Sequence, residues 1–257
     1  MRTLIERLSR GRYLKRRLPS RFGRTPLYVS PDAQLKYLKP GNDAFDAELM
    51  AIVDQHVRES SVVWDIGANV GVFAFAAASV AKKGSALAVE PDTWLAQLIR
   101  RSLLLKENRR LRIQVLPSAI ADINGVATLL IANRGRASNA LEAVGGRSQT
   151  GGIRERIIVP TLTLDTLLDF FEPPTFVKVD VEGAEVMVLT GARRLLSEVR
   201  PTIYIEVGEE AAGEVASILR GVSYELFDGS KPIQDQEPAA SCAFNTLAIP
   251  KHGVGEN

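Results

Sequence analysis

The sequence predicts an α/β fold in which a parallel sheet carries helices on both faces. Three observations predict it. Short apolar runs alternate along the chain with amphipathic stretches. The runs are apolar throughout rather than on alternate residues, as in strands buried on both sides. A turn bracketed by Gly67 and Gly71 follows the first of them, the usual place for strand-to-helix hand-over. At 257 residues and 46% hydrophobic composition, the chain suits one such domain with an N-terminal extension.

The elements follow in order. "PGNDAFDAELMAIVDQHV" sets Phe45, Leu49, Ile52 and Val53 at helical spacing after a Pro-Gly turn. "SVVWDI" is a buried strand, and the small-residue "VGVFAFAAASVA" is a helix packed close to it. "SALAVEP" and "DTWLAQLIRRSLLLKEN" repeat the unit, and "RIQVLPSAI" gives a third strand. "GVATLLIAN" and "RERIIVPTL" are further strands around the Gly/Ser/Arg-rich segment of residues 133–156, which has no periodicity and predicts a loop or lid. "TLTLDTLLDFF" is a helix capped by Thr163. "FVKVDVEG", "AEVMVLTGARRLLSEV", "PTIYIEVG" and "EEAAGEVASILRG" continue the alternation, and "VSYELFD" and "AFNTLAIP" close it as two strands.

Charge is unevenly distributed. Net charge is +2, yet residues 1–24 hold nine Lys/Arg against Glu6 alone. This predicts a basic arm or helix over residues 1–42, ahead of a main domain over 43–257. A solvated arm and peripheral contact of residues 1–24 with an anionic membrane surface are both open readings. Nucleic acid is not an expected partner, since no aromatic residues interleave with the cations. A single cysteine, Cys242, excludes an intrachain disulfide, and no apolar run is long enough for a membrane span. The expected location is cytoplasmic.

Parallel sheets bind ligands at the carboxyl ends of their strands. Those ends carry Asp65, Glu90, Asp180 with Glu182, and Glu206. Acids in buried strands are costly unless paired or used. Glu90 follows Gly67 by 23 residues, at the end of the next strand, where a carboxylate accepts both hydroxyls of a ribose. The turn lacks the middle glycine of a dinucleotide fingerprint, having Asn69 there, and Asp65 would repel a pyrophosphate. S-adenosylmethionine has no phosphate and carries an ammonium and a sulfonium, so the turn favours it over a nicotinamide dinucleotide.

"VVWDIGANVGVFAF", "AVEPD", "TLTLDTLL", "VKVDVEGAEVMVLTGARRLL" and the closing "FNTLAIP" together resemble the FkbM family of methyltransferases, over most of residues 43–250. The resemblance implies a class I methyltransferase (Rossmann-like) fold, a seven-stranded mostly parallel sheet with its last strand antiparallel. It also implies S-adenosylmethionine as cofactor and O-methylation of a sugar, glycolipid or secondary metabolite. On that pattern Asp65, Gly67, Ala68, Asn69 and Gly71 surround the methionine part and sulfonium. Glu90 holds the ribose, with Pro91 ending its strand. Ser118 and Ala119 flank the adenine, and Asp122 either reaches its amine or caps its own turn.

Asp180, Glu182 and Glu206 are the expected catalytic groups, one of them a base for the acceptor hydroxyl. Asp180 and Glu182 share a face if their strand extends that far, and Lys178 alternates onto the same face as a partner for Asp180. Glu185 falls in the first turn of the next helix, where an acid is favourable. These four acids also admit a Mg²⁺ or Ca²⁺ reading, although no metal is expected. His56 and His252 are the only histidines, too few for a transition-metal site. A nucleic-acid methyltransferase using the basic arm, and a non-catalytic binding protein, are the competing functions.

Overall fold

The computed structural model describes residues 5–6, 8–144 and 151–251. Strands β1 (Leu14–Arg17) and β2 (Pro26–Val29) open the chain as an antiparallel hairpin. Helix α1 (Ala47–His56) follows, its first turn capped by Asp46, which accepts from the Glu48 amide at 3.1 Å. The alternation then runs β3 (Val62–Ile66), α2 (Val72–Val80), β4 (Ser85–Val89), α3 (Thr93–Leu103) and β5 (Ile113–Leu116). A second group comprises β6 (Ala119–Ile120), β7 (Gly125–Ala132), β8 (Ala140–Leu141) and β9 (Ile153–Leu162). The chain closes through α4 (Leu164–Leu167), β10 (Phe176–Val179), α5 (Glu185–Thr190), β11 (Thr202–Glu206), α6 (Ala212–Gly221), β12 (Tyr224–Asp228) and β13 (Asn245–Pro250).

The main sheet has seven strands in the order β12-β13-β11-β10-β3-β4-β5. All its neighbours are parallel except β13, which runs antiparallel between β11 and β12. This is the class I methyltransferase arrangement that the sequence leads one to expect. β3 is buried along its whole length. On one face lies α2, where Ala74, Ala76 and Ala77 let the helix approach closely and Phe73 and Phe75 fill the gap. Each of those two rings contributes roughly 1.5–3 kcal/mol of burial. The opposite face packs Val177, Val179 and Ile205 against Val188, Leu189 and Leu219 of α5 and α6.

Three local expectations are corrected. "RIQVLPSAI" is two strands, because Pro117 has no N–H for the ladder; β5 stays in the main sheet while β6 pairs with β9. β7 and β9 likewise belong to a separate four-stranded sheet, β6-β9-β7-β8, whose member β8 lies inside the segment expected to be a loop. Residues 145–150 of that segment lie outside the described residues, as does His252. Helical periodicity also fails in the basic segment from residue 14, where the hairpin buries Phe22, Leu27 and Val29 in the same core as α2. Its Arg17, Arg21 and Arg24 line a surface groove with Lys106 and Arg109, at the amino-terminal end of the sheet. Among the described residues no helix is long and apolar enough to cross a membrane.

Candidate active site

Register places the site's first row. Lys178 on β10 stands beside Asp65 on β3 and Tyr204 on β11. Glu206 ends β11 two residues after Tyr204, and Asp180 follows the last residue of β10, Val179. Lys178 is 4% exposed. Its ammonium donates to the Gly67 carbonyl at 3.1 Å and to Asp180 at 3.2 Å, and pairs with Asp65 at 3.4 Å. Burial works against its charge, but Asp180, Asp65 and Glu206 together hold its pKa above the ordinary lysine value.

Asp65 is fully buried, and its other oxygen accepts from the Ala74 amide at 3.0 Å. It therefore caps the first turn of α2 and neutralises Lys178, and it does not line the cavity.

The turn after β3 is closed by its own hydrogen bonds. Gly67, Asn69 and Gly71 take positive φ values of 77°, 54° and 83°. A Cβ on Gly67 would overlap the carbonyl oxygen of Asp180, so only glycine lets β3 and β10 end this close together. The amides of Gly67 and Ala68 both donate to the Val89 carbonyl at 3.0 Å, and Gly71 donates to Ala68. Asn69 donates its amide to Glu90 at 2.7 Å, and Asp92 donates to the other Glu90 oxygen at 2.8 Å. Burial nonetheless pushes the Glu90 carboxyl up to about 8.

Two cavities meet at the carboxyl edge. The first is lined by Gly67, Asn69, Glu90, Pro91, Ser118 and Ala119. The Ser118 hydroxyl donates to the Pro160 carbonyl at 3.1 Å, which ties this wall to the second sheet. The second is lined by Ala68, Lys178, Asp180, Glu182 and Glu206. Asn69, Ala137, Asp180 and Glu182 line both, so the two chambers adjoin there. Gly71 and Asp122 line neither: Gly71 faces Ile99 as the N-cap of α2, and Asp122 lies in the turn between β6 and β7.

Asp180 and Glu182 reach both cavities in a way that strand alternation does not describe. β10 ends at Val179, and Glu182 takes a left-handed backbone with φ 55°. Glu185 is 1% exposed and accepts from the Gly183 amide at 2.8 Å, serving the start of α5. Among the described residues, no three acidic, His or Cys side chains stand close enough to share a metal ion.

The lining of the first cavity fits S-adenosylmethionine. The turn amides of Gly67, Ala68, Asn69 and Gly71 already have acceptors, and Glu90 and Asp180, which line the cavity, would suit a cofactor with two hydroxyls and two positive centres. When bound, the cofactor supplies an electrophilic methyl group.

The wall made by the segment after β7 lies within residues 133–156, expected to be a loop or lid, but none of its residues was singled out from sequence. Arg136, Ala137, Asn139, Ala140 and Leu141 all line the first cavity. Arg136 pairs with Asp92 and, at 3.1 Å, with Asp32, and its guanidinium lies 4.8 Å from the Trp94 ring centre. Asn139 donates to Asp92 at 2.9 Å and Arg154 pairs with Asp32 at 3.1 Å. Tyr37 and Tyr204 in the second cavity were also missed. Tyr204 had a readable signal, since it precedes Glu206 by two residues and so shares its face.

No curated protein matches the chain. Among solved structures, an FkbM methyltransferase from Methylobacillus flagellatus KT is 15% identical, with 85% of this chain and 58% of that chain covered and a TM-score of 0.46. A precorrin-6Y C5,15-methyltransferase from Geobacter metallireducens GS-15 is 13% identical over 78% of this chain and 84% of its own, TM-score 0.44. A SAM-dependent O-methyltransferase from Thermotoga maritima is 12% identical over 81% and 66%, TM-score 0.42. The methyltransferase FkbM domain model matches residues 65–226, from the capping aspartate of β3 to the middle of β12. The chain belongs to the FkbM family of methyltransferases, with S-adenosylmethionine as its methyl donor.

Proposed function

We propose that this methyltransferase acts on a hydroxyl oxygen, in a sugar, glycolipid or secondary metabolite. One observation supports the reading: Glu206 lines a chamber that shares Asp180 and Glu182 with the first cavity. Burial first, and the Asp180 charge second, push its carboxyl up to about 7. A hydroxyl is a poor nucleophile until its proton leaves, so its attack on a methyl group is helped by a base titrating near neutrality. Glu206 has that character, while Lys178 holds Asp180 in place at 3.2 Å. Asp180 then faces the sulfonium end as a fixed negative charge and positions the acceptor. The carboxylates of this wall also disfavour a nucleic-acid acceptor, whose phosphates they repel.

Methyl transfer from S-adenosylmethionine to hydroxylated acceptors, followed against pH, tests the proposal. The kcat/KM profile should rise with an apparent pKa near 7. Glu206→Gln should remove that limb and lower kcat by roughly 10²–10⁴-fold, a common share for a general base. Affinity for S-adenosylhomocysteine should stay unchanged. Wild-type turnover in Glu206→Gln, or a product methylated on nitrogen or carbon, would overturn it.

A further inference from the structure

Two basic segments, far apart in sequence, share one face of the molecule. Residues 100–112 carry six Lys/Arg against Glu107 alone. The Asn108 side chain donates to the Pro26 carbonyl at 2.7 Å and the Tyr28 amide to the Ser102 hydroxyl at 2.8 Å, which fixes the β1–β2 hairpin against this segment. The groove between them, at the amino-terminal end of the main sheet, is lined by eight Lys and Arg side chains and one carboxylate, Glu107. Arg17 at 3.1 Å and Lys15 at 3.9 Å already take that carboxylate. Arg24, Lys82, Lys106, Arg109, Arg110 and Arg112 are all exposed, and no carboxylate among the described residues pairs with any of them. Like charges gathered on one face repel one another, so the fold itself gains nothing from them.

The rim of this face is apolar. Leu104, two residues before Lys106, is 80% exposed, and Tyr13 is 44% exposed. Arg101 joins them: its guanidinium lies 5.3 Å from the Tyr13 ring centre, and it stands three residues before Leu104 at the end of α3. Cations around an exposed leucine and tyrosine suit a bilayer interface, where headgroups answer the charges and apolar groups enter the acyl boundary. A nucleic acid gains nothing from Leu104, and the groove lining holds no aromatic ring on which bases could stack. The residues nearest the amino terminus lie elsewhere. Arg10 donates to the Asn133 carbonyl at 3.3 Å and Glu6 pairs with Arg134 at 3.2 Å, both against the segment after β7.

We propose that this face docks on an anionic phospholipid membrane, with Leu104 and Tyr13 entering the interface and the groove cations facing the headgroups. Both cavities lie at the carboxyl edge of the sheet, the opposite end, so docking leaves them turned toward water. The contact holds the enzyme at a surface without covering its site, and it is independent of which atom is methylated.

Co-sedimentation of the full chain with vesicles tests it, using phosphatidylcholine alone and phosphatidylcholine with about one-third phosphatidylglycerol. Binding should need the anionic lipid and should fall about tenfold or more between low and high salt. Each Lys or Arg near an anionic surface contributes roughly fivefold to partition. Arg109→Gln combined with Arg110→Gln should therefore weaken binding about tenfold or more. Leu104→Ser should weaken it about threefold or more and leave the salt dependence as it was, since the lost contact is apolar. Arg10→Gln should leave it within about twofold, because that arginine lies off the face. Unchanged S-adenosylhomocysteine affinity in each variant shows that the fold is kept. No binding to anionic vesicles, equal binding to neutral ones, or full binding by the double variant or by Leu104→Ser would overturn the proposal. So would a loss in Arg10→Gln as large as that in the double variant. Tighter binding of duplex or single-stranded oligonucleotides than of anionic vesicles at the same salt would give the face to nucleic acid and overturn it too.

Discussion

The amide of Asn69 donates to the Glu90 carboxylate at 2.7 Å, which ties the turn after β3 to the end of β4. The same side chain lines the first cavity, so it both closes the turn and faces the space proposed for the cofactor. Folding raises its carboxyl from an ordinary 4.5 to about 8, chiefly through burial. The folded state therefore holds this proton more tightly than the unfolded chain. Its contribution to stability is full below about 4.5 and declines as pH rises to about 8, by up to about 1.4 kcal/mol per unit. Glu90→Gln should flatten the slope of stability between pH 5 and 8. It should also weaken S-adenosylhomocysteine binding at least tenfold. Chemical denaturation at several pH values, with calorimetry on the same samples, checks both; an unchanged slope would show that Glu90 titrates normally.

Among the described residues, Lys178 is the sole cation paired with buried Asp65, at 3.4 Å. Removing one partner of a buried pair typically costs 3–5 kcal/mol, whereas replacing both is often near neutral. Lys178→Met should therefore destabilise the fold by about 3–5 kcal/mol and disturb the Gly67 carbonyl that it holds at 3.1 Å. Adding Asp65→Asn, which keeps polar side-chain atoms near the Ala74 amide, should recover at least half of that loss. Urea midpoints of the two single variants and the double variant form the cycle. Additive losses would mean that the pair is not coupled.

The alternation of apolar strands and helices was legible because both faces of β3, β4, β10 and β11 are buried, which leaves an unbroken apolar signal. The strand-end acids were legible by the same logic: Glu90, Asp180, Glu182 and Glu206 do reach the cavities. Sequence gives the position of Asp65 on the strand but not which neighbour takes its charge. Here that neighbour is Lys178, 113 places along the chain and adjacent only through strand pairing. The second sheet was hidden for a similar reason. β7 and β9 look like any apolar strands, and only Pro117 marks where the chain leaves the main sheet. Arg136 sits in a segment with no periodicity, and its partners Asp32 and Asp92 are 104 and 44 residues away.

That arginine has a measurable consequence. Arg136 is 13% exposed at its side chain, pairs with Asp32 and Asp92, and stacks on Trp94. It thereby fastens residues 136–141, one wall of the cofactor cavity, to the start of α3 and to the segment after β2. Arg136→Met keeps much of the stem's packing and removes the charge. Asp32 retains Arg154, and Asp92 retains Asn139 together with its capping bonds to Trp94 and Leu95, so neither acid is left bare. The loss should thus fall below that of Lys178→Met, at about 2–3 kcal/mol. Local effects should exceed the global one: amide exchange over residues 136–141 should quicken at least tenfold and S-adenosylhomocysteine should leave faster, while exchange in β3 and β10 stays slow. Arg136→Lys should rescue little, because one ammonium cannot bridge two carboxylates and stack on the indole at once. Uniform quickening across the whole domain would instead mean that Arg136 supports the fold generally and is no special fastening of the cavity wall.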